Sequence, residues 1–325
     1  MNDHQDNFQD EKMPDPNYEK MVNKLAFAAI NEQRRARRWR IFFLFLFFAY
    51  LTPILYTVLT MGDDSYADAN GEDDKQHTAL VRLSGVIASD EEASAGNVIA
   101  GLKAAFKNEN TKGVILEINS PGGSPVQSAY IYDEIVRLRK KHESIPLYVV
   151  ISDMAASGGY FVAAAADKIF VNRSSLVGSI GVRMDNFGFV ELMKKVGVER
   201  RLLTAGENKG LLDPFLPEDS GQKAHLQKML NEVHQHFIQA VKDGRGDRLI
   251  QQPDLFSGLI WTGEKAISLG LVDEFGSTQS VARDHIEAEK IINFTPSGSL
   301  IDRLINRFGV SMSTAFWQQF GTRLQ

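Results

Sequence analysis

The 325-residue sequence contains no cysteine, which removes several chemistries at once. Without thiols the chain forms no disulfide, no zinc site with cysteine ligands and no cysteine nucleophile. Histidine is scarce, with seven residues, and the net charge of −5 gives no general attraction to phosphate backbones. The part of the chain after residue 62 also lacks the basic and aromatic pattern of a nucleic-acid groove. We therefore expect no nucleic-acid partner.

Charge is absent from Ile41 to Gly62, a stretch of 22 residues. This length predicts a transmembrane helix over 41–61, since a buried core helix is rarely apolar on every side for six turns. Residues 21–40 contain six basic residues, whereas residues 62–81 contain six acidic residues and, as their only basic residue, Lys75. The positive-inside rule then places the N-terminus in the cytoplasm and residues 63–325 across the membrane, which in a bacterium means the inner membrane and the periplasm. The six basic residues are Lys24, Arg34, Arg35, Arg37, Arg38 and Arg40.

After the apolar segment, strand-length apolar runs alternate with helical patterns. This alternation predicts an α/β domain with a mostly parallel sheet. It includes an alanine-rich helix after Ser157, a strand over 199–205 and a long helix from Ser220 to Lys242. The predicted organisation is a cytoplasmic segment (1–40), the membrane span (41–61), an acidic linker (62–77), the folded domain (78–290) and an amphipathic helical segment (291–325).

Two strand ends have the composition of a catalytic corner. At Gly122 and Gly123 a strand ends in a turn whose N–H groups no side chain shields, as an oxyanion site needs, although a plain tight turn has the same pattern. The second corner is Ser157, between two alanines and two glycines. A serine before a helix is commonly an N-cap. Its small neighbours also leave room for a substrate, and the Gly158 N–H lies next to it in sequence.

A serine nucleophile needs a base. We interpret the seven histidines as solvated residues, because they fall in the N-terminal tail, in the linker or on polar helical stretches. A lysine serves instead when it is removed from water. Lys209 follows a predicted strand and a glycine turn and precedes an apolar stretch, which makes it a candidate base. An exposed loop lysine has the same pattern.

Five ordered motifs carry a family resemblance. They are "NSPGGS", "MAASGGYFVAAAADKI", "LVGSIGV", "TAGENKG" and "TGEKAISLGLVDEFG", at residues 119–124, 154–169, 176–182, 204–210 and 262–276. Together they resemble the signal peptide peptidase SppA family of serine proteases, family S49, in its short, membrane-anchored bacterial form. The related SohB-type peptidases share similar motifs, and the N-terminal 40 residues match none of them.

The resemblance implies a ClpP/crotonase-like fold of stacked β-β-α units and a Ser/Lys dyad. Ser157 would be the nucleophile and Lys209 the general base. It further implies a ring of identical subunits and no metal or cofactor. Whether the Ser and Lys of one dyad come from the same chain or from neighbouring chains stays open. The implied substrates are remnant signal peptides and other apolar membrane-associated peptides. The remaining implied site residues are Ser179, which orients the lysine, and Gly122, Gly123 and Gly158, which form the oxyanion hole.

Two alternatives stay open from the sequence. A crotonase-like acyl-CoA enzyme would use the same two glycine corners without needing Lys209. A non-catalytic membrane scaffold would retain the fold without the activity.

Overall fold

The computed structural model describes residues 16–60, 67–68, 75–250 and 252–296. By density of internal contacts the chain divides into two units, residues 1–65 and 66–325. In the first unit, α1 (Pro16–Thr60) is a continuous helix of 45 residues that includes Pro53. Among the described residues, no helix is long and apolar enough to cross a membrane, so the predicted span over 41–61 is not confirmed.

The second unit is built on a nine-stranded sheet. Its strands are β1 (Ala67–Asp68), β2 (His77–Ser84), β3 (Thr111–Ser120), β4 (Leu147–Ala156), β5 (Lys168–Val171), β6 (Leu176–Gly178), β7 (Ile260–Thr262), β8 (Glu274–Phe275) and β9 (Ile291–Asn293). Its helices are α2 (Ala95–Lys107), α3 (Pro125–Lys141), α4 (Gly158–Ala163), α5 (Val190–Val196), α6 (Ser220–Arg245), α7 (Gly263–Ser268) and α8 (Thr278–Asp284), with a 3₁₀ turn at Gly246–Arg248.

The main sheet runs in the order β1-β9-β2-β3-β4-β5-β8, and all its neighbouring strands are parallel. The end of β4 leaves β5 and pairs instead with β6, which in turn pairs antiparallel with β7. The predicted mostly parallel α/β sheet is thus confirmed. This branch positions the site, because it turns the last residues of β4 away from the main sheet.

Parallel strands that are covered on both faces have nearly continuous apolar sequences, as β2, β3 and β4 do. The larger core lies on the face that packs against α2, α3, α4 and α6. A smaller cluster on the other face joins Leu80, Ile115, Val150 and Phe170 to Val281 and Ala282 of α8. The site described below lies on the side of the larger core, where Phe161 and Phe237 meet.

Several sequence predictions need correction. Residues 199–205 form no strand, and β1 lies inside the segment predicted as a linker. His77 begins β2 and is buried, so it is a core residue and no linker histidine. Of the predicted C-terminal helical segment, 291–293 form β9 and 297–325 lie outside the described residues.

The segment 183–219 differs from the rest of the domain, because none of its residues is buried. It contains α5, which lies outside the core. Leu203 is 97% exposed and Phe187 is 74% exposed. Local contacts hold the segment together, among them the stacked Phe189 and Phe215 rings and the Arg200–Asp213 ion pair.

Candidate active site

Ser157 stands at the junction between β4 and α4, with φ 51° and ψ −123°. A residue with a side chain is strained at such a positive φ, by about 1–3 kcal/mol, and persists there only where its surroundings hold it. Its N–H donates to the carbonyl of Gly178 on β6 (2.9 Å), and its own carbonyl accepts from the Phe161 N–H (2.9 Å). Its side chain makes no capping bond to α4, so the hydroxyl is left for other partners.

Helix α4, which follows Ser157, is fixed by close contacts. Tyr160 is fully buried and donates its hydroxyl to the Leu271 carbonyl at 2.7 Å. Burial raises the pKa of this phenol well above its ordinary value. On α6, Gly244 packs so closely that a Cβ there would lie 1.9 Å from the Ala164 carbonyl oxygen. The alanine-rich helix predicted after Ser157 is therefore present as α4, six residues long, and the small residues of this region serve tight packing.

The corner at Gly122 and Gly123 lies directly against Ser157. Two backbone bonds join it to Ile87, from the Ile87 N–H to the Gly122 carbonyl (2.9 Å) and from the Ser124 N–H to the Ile87 carbonyl (2.7 Å). Gly122 has φ +97°, and a Cβ there would lie 2.8 Å from the Ser157 Cβ and 2.6 Å from the Gly158 nitrogen. Only glycine fits this contact between the two corners.

The N–H groups of Gly123 and Gly158 have no hydrogen-bond acceptor among the described residues. They are neighbours, because a Cβ placed on Gly158 would lie 3.3 Å from the Gly123 nitrogen. The same Cβ would lie 2.4 Å from the Ser128 hydroxyl oxygen, which already donates to the Ser124 carbonyl. Two free donors beside a strained serine are what stabilisation of an oxyanion requires.

A cavity of about 530 Å³ opens in front of these groups. Its interior is largely apolar, with the Phe161 and Phe237 ring centroids 5.0 Å apart. Ser179 lines it too, with φ 52° and its N–H donating to the Leu259 carbonyl at 2.8 Å. The lining residues are Gly123, Pro125, Val126, Ser128, Ala129, Ser157, Gly158, Phe161, Ser179, Gly181, Val182, Arg183, Val233, His236, Phe237, Ser257 and Gly258.

Lys209 is not among these residues. It lies exposed in the segment 183–219, in a turn where its N–H donates to the Gly206 carbonyl at 3.1 Å. A single protomer therefore brings Ser157, Ser179 and the three glycines together and leaves the predicted base outside.

Sequence reasoning also missed residues of the cavity. His236 lines it while remaining exposed, so the interpretation of His236 as a solvated residue holds but its place at the cavity was not foreseen. His234 is half-buried and its ring contacts the Ile180 carbonyl at 3.1 Å, so the interpretation as a solvated residue is wrong for His234. The helical spacing of Val233, His236 and Phe237 on α6 was the available signal, but nothing in the sequence told which element this face would cover.

The sequence model of Peptidase family S49 matches residues 139–291, and that of Clp protease matches residues 76–179. A protein of Enterococcus faecium named for the signal peptide peptidase SppA is 31% identical over 239 residues, covering 70% of this chain and 69% of that protein. The chain belongs to peptidase family S49. Both family models cover Ser157 and Ser179, whereas Lys209 and His236 lie only within the S49 match.

Other relatives have a greater identity over the residues that align. A Brucella abortus protein named as the Na⁺/H⁺ antiporter NhaA is 43% identical over 224 residues, covering 69% of this chain and 30% of that protein. A Methanocaldococcus jannaschii protein named as a protease is 38% identical over 177 residues, covering 54% of this chain and 56% of that protein. The chain thus spans about a third to a half of these two relatives' lengths.

Proposed function

We propose that this protein is a membrane-anchored serine endopeptidase with a Ser157/Lys209 dyad, and that it hydrolyses remnant signal peptides and other apolar membrane-associated peptides. The observation that carries the proposal is the corner itself. A strained serine, with no cap bond, faces an apolar cavity beside the unpartnered N–H groups of Gly123 and Gly158. Membership in family S49 supports the peptidase assignment over an acyl-CoA enzyme or a non-catalytic scaffold.

In the proposed reaction the neutral Lys209 amine takes the proton of the Ser157 hydroxyl while the oxygen attacks a peptide carbonyl. The N–H groups of Gly123 and Gly158 stabilise the resulting oxyanion. The C–N bond then breaks, the leaving amine receives the proton, and water hydrolyses the acyl-enzyme. Ser179 orients the lysine amine.

The position of Lys209 supports assembly of the dyad between protomers. A lysine acts as a base only when its amine is unprotonated, a form that burial favours. Lys209 is exposed in the protomer, on a segment that buries none of its apolar side chains. Docking of this segment on an identical neighbour would cover those side chains and bring the amine to the neighbour's Ser157. We therefore propose a closed homo-oligomer with head-to-tail interfaces.

The substrate class is supported by the cavity lining. Phe161, Phe237 and Val233 form walls suited to an apolar side chain, and no carboxylate lines the cavity. The membrane anchor is supported by the sequence alone, through the 22 uncharged residues from Ile41 to Gly62 and the basic residues before them. The same asymmetry supports a periplasmic catalytic domain.

Hydrolysis of an apolar fluorogenic peptide by the detergent-solubilised full chain tests the proposal. We expect Ser157→Ala and Lys209→Ala each to lower kcat by at least about 10³-fold, as loss of a member of a catalytic unit does. Lys223→Ala is the matched control, because Lys223 is an exposed lysine paired with Glu218 outside the cavity. A serine-reactive probe should label the wild type and leave Ser157→Ala unlabelled.

Three outcomes would contradict the proposal. Hydrolysis of a thioester that Ser157→Ala does not change would favour the acyl-CoA enzyme. Complete failure of the probe on assembled protein would favour the scaffold. An active Lys209→Ala beside an inactive His236→Gln would transfer the role of base to His236, the one histidine that lines the described cavity.

A further inference from the structure

The mouth of the Ser157 cavity carries two polar side chains that the proposed reaction does not use. Arg183 follows β6, and His236 lies on α6 next to Phe237. Both are exposed, whereas Phe237, which also lines the cavity, is buried. Among the residues that line the cavity these two are the ionisable ones, and neither is acidic.

Arg183 is weakly paired. Its nearest carboxylate is that of Asp185, with 3.7 Å between Nε and Oδ2, beyond hydrogen-bond distance. The side chains are 89% and 68% exposed, so this contact contributes little. The two terminal NH₂ groups of the guanidinium have no partner among the described residues, and they have the fork geometry that matches a carboxylate.

His236 is likewise unpartnered. Its ring has no hydrogen bond within the described part of the chain, in contrast to His234, whose ring contacts the Ile180 carbonyl at 3.1 Å. An imidazole offers an N–H donor in either protonation state. Arg183 and His236 therefore place free donors at the open side of a cavity whose interior is apolar.

We propose that Arg183 and His236 bind a carboxylate of the peptide substrate while an apolar side chain of the same peptide occupies the cavity. This inference rests on the proposed peptidase function and adds an anionic recognition element to it. The carboxylate has two sources, the free C-terminus of a peptide fragment and the side chain of an Asp or Glu near the scissile bond. Since neither side chain has a role in the proposed bond-breaking steps, the contact would strengthen binding of substrate and transition state alike and act on KM.

Four matched apolar peptides test this proposal and distinguish the sources. Two differ only in a C-terminal carboxylate or amide, and two C-terminal amides differ only in an internal Glu or Gln. We expect one acidic peptide, or both, to have a kcat/KM about three- to tenfold above its neutral partner, the range for a charge-assisted contact at an exposed position. The difference should lie in KM and weaken with added salt.

Arg183→Gln and His236→Gln should each bring that ratio towards one. Arg283→Gln is the control, because it removes the same charge from an exposed arginine of α8 outside the cavity and should leave the ratio unchanged. Equal values for acidic and neutral peptides in the wild type would overturn the proposal. So would a preference that survives in both Arg183→Gln and His236→Gln.

Binding separates this inference from the proposed function. The Kd of each peptide is measured with the full-length Ser157→Ala variant, in which no turnover occurs. A preference in Kd for the acidic peptides without hydrolysis by the wild type would contradict the peptidase and uphold the carboxylate site. Hydrolysis by the wild type together with equal Kd values for acidic and neutral peptides would uphold the peptidase and contradict the carboxylate site.

Discussion

The Ser157 corner and the segment 183–219 are built in opposite ways, although both carry residues of the proposed dyad. Around Ser157, residues Gly158, Gly159 and Tyr160 are buried and held by close backbone contacts. In the segment that carries Lys209, no residue is buried. One half of the dyad is thus fixed within the protomer, and the other half lies on a surface.

This difference indicates that the two regions have different roles, catalysis for the Ser157 corner and contact with another molecule for the segment 183–219. Oxyanion stabilisation requires donors that are in place before the reaction, and tight packing supplies that rigidity. A segment with exposed apolar side chains and no core of its own is typical of a surface that another molecule covers. Substitutions at the Ser157 corner should therefore impair catalysis, whereas substitutions in the segment 183–219 should impair assembly.

Among changes that leave Ser157 and Lys209 in place, the largest effect is expected at Gly158. A methyl group there would lie 2.4 Å from the Ser128 oxygen and would push apart the two oxyanion donors. We expect Gly158→Ala to lower kcat by about 10²–10³-fold or more, the usual effect of losing one such donor. Gly96→Ala in α2 is the control, since no atom lies within 4 Å of its Cβ position. A Gly158→Ala variant with wild-type kcat would contradict the assigned oxyanion hole.

Loss of the buried Arg245–Asp273 ion pair should lower the stability of the fold that supports the Ser157 corner. Arg245 is buried and its guanidinium binds both oxygens of Asp273 at 2.8 Å. Burial opposes ionisation of Asp273, but Arg245, the Ile169 N–H and Arg248 together hold the pKa of this carboxyl below its ordinary value. We expect Arg245→Met to lower the free energy of unfolding by about 3 kcal/mol at pH 6, because a half-buried carboxylate loses its two-bond partner and keeps only Arg248 and the Ile169 N–H.

The pH dependence of that loss follows from the lowered pKa. A carboxyl with a depressed folded-state pKa adds stability above its unfolded value of about 3.9, and this contribution is lost as pH falls through the folded value. The difference between wild type and Arg245→Met in urea unfolding should therefore shrink below about pH 4. Arg137→Met, which removes a 52% exposed arginine from its pair with Glu134, serves as control and should cost no more than about 1 kcal/mol. A difference that does not change with pH would exclude this role for Asp273.

Substitutions in the segment 183–219 should change the oligomeric state and hardly change the stability of the protomer. Leu203 is 97% exposed, so Leu203→Glu should change the free energy of unfolding by no more than about 0.5 kcal/mol. It should shift the protein towards monomers in sedimentation velocity and lower activity at dilute concentrations. Val136→Glu on the exposed side of α3 tests for a general effect of added charge. An unchanged oligomeric state in Leu203→Glu would remove Leu203 from the proposed interface.

Much of this difference could be predicted from local sequence. The apolar runs of β2, β3 and β4, the two glycine corners and Ser157 have signals that depend on neighbouring residues only. In the proposed oligomer, the catalytic position of Lys209 depends instead on a surface outside the protomer. The cavity wall formed by Val233, His236 and Phe237 depends on how α6 crosses α4. Residues 199–205 have the apolar pattern of a strand, but they pack only locally and join no sheet.

The measurement that tests the central claim most directly is complementation between Ser157→Ala and Lys209→Ala. Each full-length variant should be inactive alone. If the dyad forms between neighbours, a co-assembled equal mixture should recover about one quarter of wild-type activity, since random mixing places both intact residues at that fraction of head-to-tail interfaces. No recovery in a mixture shown to co-assemble would contradict the account and place Ser157 and Lys209 of one dyad in the same chain.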